Sequence, residues 1–107
     1  MVQGTLDMLV LKTLALEPMH AYGVTARLKQ ITRGTFQVNA GSLFPALRRL
    51  ERDGLVKATW RDTENNRRAR VYALTTAGRR ALERYTSEWE RQTQAIARVL
   101  RTVDGKS

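Results

Sequence analysis

Apolar residues recur at helical spacing along residues 4–17, where Leu6, Leu9, Val10 and Thr13 or Leu14 fall near one side and Pro18 ends the pattern. This predicts a short amphipathic helix. After the break Pro18-Met19-His20, residues 21–33 repeat the spacing with Tyr22, Leu28 and Ile31 on or near one side, and Gly34 offers a stop. Thr35-Phe36-Gln37-Val38 reads as a brief extended piece. A third helix then runs to Asp53-Gly54, and either Asn39 or Ser42 can cap it. A cap at Asn39 costs one internal hydrogen bond at Pro45, whereas a cap at Ser42 puts Pro45 in the first turn, so the start stays open by three residues. On this helix Leu43, Ala46, Leu47 and Leu50 share one arc, and Ser42, Pro45, Arg48, Arg49 and Arg52 occupy the opposite one.

Period two takes over at residues 55–61, where Val56, Ala58 and Trp60 alternate with Lys57, Thr59 and Arg61; residues 69–75 give a second strand-like run with Val71, Tyr72 and Leu74. The polar stretch between them has turn formers and no apolar anchor, which predicts a hairpin with a solvent-facing tip. Thr75 or Thr76 caps a long final helix reaching about Val103, and residues 104–107 are expected to fray. Along that helix Leu82, Tyr85, Trp89, Gln92, Ile96, Val99 and Val103 step alternately by 3 and 4, the a/d seam of a heptad with one polar position. Twenty-eight residues of helix would be about 42 Å long, more than a three-helix core can cover. Leu82 and at most Tyr85 are assigned to the chain's own core; from Trp89 onward the seam calls for a second copy, with Gln92 fixing register.

Three helices, a hairpin and a further helix describe a mainly α fold with a small β-hairpin: a winged helix-turn-helix plus a long C-terminal dimerisation helix. Residues 1–75 form the expected DNA-binding domain, and 76–107 the dimerisation helix with its tail. The composition agrees. Net charge is +9, from 19 Lys+Arg against 10 Asp+Glu, and 15 of the basic residues are Arg, the side chain that grips phosphate and guanine bidentately. With no Cys and one His, His20, the chain lacks disulfides, thiolate metal sites and cysteine nucleophiles; no phosphate-cradling Gly loop is present. Neither an enzyme nor a metal or cofactor is expected, and His20 reads as a loop or cap residue. Asp7 and Lys12 interrupt the apolar residues 6–16, so no stretch approaches the roughly 20 residues that span a bilayer. With no basic leader either, a soluble cytoplasmic protein is the expectation.

Several motifs, in order and spacing, resemble the PadR-type transcriptional regulators, specifically the short members with a single C-terminal helix. They are Gly4-Thr5-Leu6-Asp7, Ala21-Tyr22-Gly23, Gly41-Ser42-Leu43-Phe44-Pro45-Ala46-Leu47 with Arg49-Leu50-Glu51, and Tyr72-Ala73-Leu74-Thr75 with Gly78, covering about residues 4–100. The resemblance implies a homodimeric repressor of double-stranded DNA whose last helix makes much of the dimer interface. It also implies that Tyr22, Ser42 and Arg70 lie near the phosphate backbone. Phe44 stands where the family usually has Tyr, removing a hydroxyl, and Val71 departs in the same way.

The expected DNA-binding surface joins Tyr22 to Asn39, Gly41, Ser42, Phe44, Pro45, Arg48 and Arg49 of the third helix, and to Asn66, Arg67, Arg68 and Arg70 of the wing. Small residues at a helix start permit close approach to phosphate or base edges, and flanking arginines can read guanine. Arginines of the hairpin suit phosphates or a narrow minor groove. Asp62 and Glu64 are expected to point away or to pair with arginines. Trp89 is assigned to space filling in the interface; the resemblance also allows an effector pocket there, since an aromatic on this helix faces a cavity for planar aromatic compounds in some relatives. The competing function is a winged-helix interaction module that docks an acidic protein without reading DNA.

Overall fold

A computed structural model describes residues 3–65 and 67–103, so the expected fraying of 104–107 lies outside the described residues. The elements are α1 (Gln3–Leu16), β1 (Met19–His20), α2 (Ala21–Ile31), α3 (Ala40–Arg52), β2 (Val56–Asp62), β3 (Arg68–Leu74) and α4 (Thr76–Leu100). α1 packs against α2, α3, α4 and β3. A helix with neighbours on several sides buries more than one stripe, which is why Leu6, Val10, Leu11 and Leu14 are all in the core. Leu11 escaped the single-face pattern. Thr13 is buried as well and donates its hydroxyl to the Leu9 carbonyl at 2.7 Å, satisfying itself within the helix.

α2 starts at a cap supplied by His20, whose Nδ1 accepts the Gly23 N–H at 3.0 Å. Its buried positions are Ala21, Val24 and Leu28. Tyr22 and Ile31, expected beside Leu28, are instead exposed: the buried stripe passes through a small residue and a β-branched one, and the larger side chains flank it. The helix also stops two residues early, because Arg33 (φ 52°) and Gly34 (φ 82°) are both left-handed and Gly34 N–H donates to the Lys29 carbonyl at 2.8 Å.

Asn39 caps α3, its side chain accepting the Ser42 N–H at 2.9 Å. That settles the open boundary in favour of the earlier start and leaves Pro45 inside the helix. Pro45 cannot donate to the Gly41 carbonyl, so the first turns of α3 lack one rung of their ladder. Leu43, Ala46, Leu47 and Leu50 are buried, the arc the periodicity predicts.

The hairpin is part of a three-stranded antiparallel sheet in the order β1-β3-β2. β1 is the addition: Met19 and His20 pair with Tyr72 and Val71. Two residues beside a proline carry no readable period, so the sequence showed this stretch only as a break. β2 and β3 pair from Val56↔Leu74 to Asp62↔Arg68, and the Thr63 N–H closes the tip on the Arg67 carbonyl at 2.7 Å.

Thr75 joins the sheet to α4. Its hydroxyl accepts the Gly78 N–H at 3.0 Å and donates to the Gly54 carbonyl at 2.7 Å, while its own N–H donates to the Leu55 carbonyl at 3.1 Å. The start of α4 is thus tied to the α3–β2 turn. Gly78 and Ala81 are its buried residues, Leu82 is half-buried against the core as expected, and from Glu83 onward the helix is mostly exposed. The chain is 65 Å in its longest dimension with a radius of gyration of 16.6 Å, against about 13 Å for a compact domain of this size. α4 ends at Leu100 and not at Val103, which places Val103 past the regular seam.

Candidate nucleic-acid interface

The exposed side of α3 is polar and small at its start and basic toward its end. Gly41 and Ser42 are exposed in the first turn, Pro45 is half-buried, and Arg48 and Arg52 are exposed further along. Asn39 is exposed too, but its side-chain oxygen is committed to the cap. Beside this end lies a hollow of about 470 Å³ lined by Gln37, Asn39, Gly41, Ser42, Pro45 and Arg49 among others. Backbone N–H groups at a helix start, a hydroxyl and a guanidinium make such a hollow hospitable to a phosphate oxygen. Tyr22, in the first turn of α2, is 72% exposed.

Two members of the expected surface sit differently. Arg49 does not lie open beside Arg48: it is half-buried and donates to Asp7 Oδ1 at 2.9 Å, with side chains 27% and 13% exposed. Its Nε is buried without a hydrogen-bond partner among the described residues. Periodicity along α3 alone puts Arg49 on the exposed arc, but α1 packs against α3 and brings Asp7 to it. Phe44 is likewise half-buried and packs against the core.

On the wing, Arg67 and Arg68 are exposed. Asn66 lies outside the described residues. Arg70 donates to Glu51 Oε2 at 2.7 Å, and both Arg68 and Arg70 stand over the Trp60 ring, 5.3 and 5.6 Å from its centroid. Asp62 and Glu64 are exposed and take part in no ion pair among the described residues. Glu51, Trp60 and Asp7 were absent from the expected surface. Only the register Trp60↔Arg70 could have flagged the tryptophan, once the hairpin is closed symmetrically.

Residues 10–84 match the Transcriptional regulator PadR-like family. The chain belongs to that family. Among solved structures it is similar to a PadR family transcriptional regulator from Eggerthella lenta, with 30% identity, TM-score 0.82, and 94% of this chain and 85% of that one covered. A transcriptional regulator from Clostridium thermocellum, 23% identical, shares the fold with TM-score 0.82 over 89% of this chain and 92% of that one. Among curated proteins, transcriptional regulator Rv3488 of Mycobacterium tuberculosis is 39% identical over 70 residues, which is 65% of this chain and 61% of that protein.

As a PadR-like protein the chain is a DNA-binding transcriptional regulator and not an enzyme. None of the described helices is long and apolar enough to cross a membrane. The PadR-like match stops at residue 84, within α4. Beyond it the exposed side of α4 is strongly apolar for a helix of one chain: Trp89 is 48% exposed, Ile96 58% and Val99 71%, with Tyr85 and Leu100 also exposed. Gln92, at the polar seam position, donates to Glu88 Oε1 at 3.0 Å. Between α1 and α4, Met8, Leu9, Lys12, Leu82 and Trp89 help line a groove of about 640 Å³.

Proposed function

We propose that the chain is a repressor that binds a pseudo-palindromic operator as a homodimer, with residues 1–75 meeting DNA and 76–107 pairing the two copies. The observation that carries this reading is the exposed seam of α4. A row of Trp, Ile and Val left in water on a helix about 37 Å long is the signature of a surface that is covered in the working assembly. Two-fold pairing through it presents two copies of α3, and dimeric readers of this type engage half-sites about 34–36 Å apart. Gly41, Ser42 and Arg48 serve base edges and adjoining phosphates; Tyr22, Arg67 and Arg68 serve the backbone.

Trp89 fills space in the paired seam. A small planar aromatic effector would enter the groove beside it, between α1 and α4, and saturable quenching of Trp89 fluorescence by such compounds is the observation that would give it that second role.

The deciding experiment is selection of duplexes from a randomised pool by the purified chain, with sedimentation of the free protein. A dimer that enriches a short inverted repeat, with affinity falling about 0.9 log units per log unit of salt for each phosphate neutralised, is the expected result. Equal binding to all sequences, or a monomer at micromolar concentration, refutes it.

A further inference from the structure

Trp60 is a large aromatic side chain placed where no core needs it. It follows Val56 and Ala58 on the inward side of β2, yet it is 54% exposed, whereas Val56 is buried and Ala58 packs against the core. Its neighbours are charged. Arg70 stands directly across the ladder from it, and Arg68 lies on the same face two residues along. Both guanidiniums sit over the indole at cation–π distance.

Two cations on one ring repel each other unless anions are near. Arg70 has one: Glu51, in the last turn of α3, accepts its Nη2 hydrogen at 2.7 Å. Arg68 has no carboxylate partner among the described residues. The two arginines therefore differ in kind. Arg70 bridges the wing to α3, and Arg68 is held on the ring, exposed, with no side-chain hydrogen bond or ion pair to the protein among the described residues.

We propose that Glu51, Arg70 and Trp60 form a strut that fixes the wing against α3 and aims Arg68 at a DNA phosphate. The proposal rests on the DNA-binding reading of the preceding subsection and gives Arg70, which the family resemblance places near the phosphate backbone, the role of an internal brace. Trp60 is a positioning residue. It gives Arg68 a flat platform, so less side-chain freedom is lost when the guanidinium meets a phosphate. Glu51 sets the angle between wing and α3, so that both surfaces engage one duplex together.

The strut makes a prediction opposite in sign to simple electrostatics. Glu51 is an acid at a DNA-facing surface, and removing its charge by itself strengthens attraction to any polyanion. A brace, when cut, weakens binding only where register matters. The probes are the inverted-repeat duplex enriched by the wild-type chain and a scrambled duplex of equal length and composition. Glu51→Gln is expected to bind the enriched duplex about tenfold more weakly and the scrambled duplex as well as, or better than, wild type. Trp60→Leu should lose a similar factor on the enriched duplex and Trp60→Phe should restore most of it, since Phe keeps a π face. The double variant Glu51→Gln/Trp60→Leu should fall no further than the weaker single one, because both cut one device.

Arg68→Ala should lower the salt slope by about 0.9 per protomer, the mark of a lost phosphate contact. Thermal melting and sedimentation at matched concentration check that each variant is folded and dimeric; Glu51→Gln, a near-isosteric surface change, carries the test alone if Trp60→Leu is not. Enriched-duplex binding by Glu51→Gln at or above wild-type strength overturns the strut, as does additivity of the double variant. Failure of the wild-type chain to enrich any duplex overturns instead the DNA-binding reading on which the strut rests.

Discussion

Gly78 is the position where local propensity and tertiary packing disagree most sharply. It lies in the first turn of α4, and replacing a helical Gly by Ala ordinarily stabilises by up to about 1 kcal/mol. Here a Cβ would overlap the Leu55 carbonyl oxygen and come within 2.7 Å of Leu74 Cδ1 and 3.1 Å of the Leu55 carbonyl carbon. The closest obstacle is backbone, held in a turn that also receives the Thr75 hydroxyl at Gly54, so it cannot rotate aside. Overpacking of this kind costs about 3 kcal/mol, the upper end of the usual range. Pushing Leu55 away also loosens the Thr75 N–H bond to the same oxygen, worth about 1 kcal/mol. Set against the propensity gain, Gly78→Ala should destabilise by roughly 2–3 kcal/mol, lowering Tm by about 10 °C for a chain of this length. The assay is thermal unfolding followed by circular dichroism at fixed protein concentration, because any self-association makes Tm concentration-dependent. Gly4→Ala is the matched control: that Cβ meets nothing within 4 Å, and the change should stay within about 0.5 kcal/mol. A Gly78→Ala protein as stable as wild type would refute the argument that this junction is closed.

Further outcomes follow from the same geometry. Ile96→Glu with Val99→Glu should convert the protein to a monomer in sedimentation, since both are exposed along the seam of a single chain; an unchanged mass sinks the seam assignment. Asp7→Asn should cost about 1–3 kcal/mol in chemical denaturation, because it leaves the Arg49 guanidinium half-buried without its counter-charge; unaltered stability would mean the pair is no more than a surface contact. Asn39→Ala removes the α3 cap and should cost about 1 kcal/mol, whereas Asn39→Asp should retain stability; equal losses would show that the cap oxygen is not what matters. Arg48→Ala should weaken the enriched duplex more than the scrambled one, and equal weakening would assign Arg48 to phosphate instead of base.

Much of this molecule was legible from periodicity. The leucines of α3, the alternation of β2 and the heptad step of α4 each encode one face of one element, and one face is what spacing can carry. For the candidate site, exposure was legible: Ser42 and Arg48 on α3 and Arg67 and Arg68 on the hairpin are exposed where the pattern put them. What spacing cannot carry is which partner a face meets. Leu11 is buried because α1 is surrounded, and Tyr22 is exposed because Ala21 and Val24 take the buried stripe of α2. Asp7 captures Arg49 across 42 residues of chain, and Glu51 captures Arg70 across 19. Such pairings depend on where two elements cross, a property of the packed chain and absent from either element alone. The apolar and polar order of this sequence thus determined its helices, its hairpin and the row of side chains left uncovered on α4. Only the tertiary structure decided which arginines pair with carboxylates of other elements and which stay exposed without an ion-pair partner among the described residues, because a guanidinium is claimed by whichever carboxylate packing brings within reach.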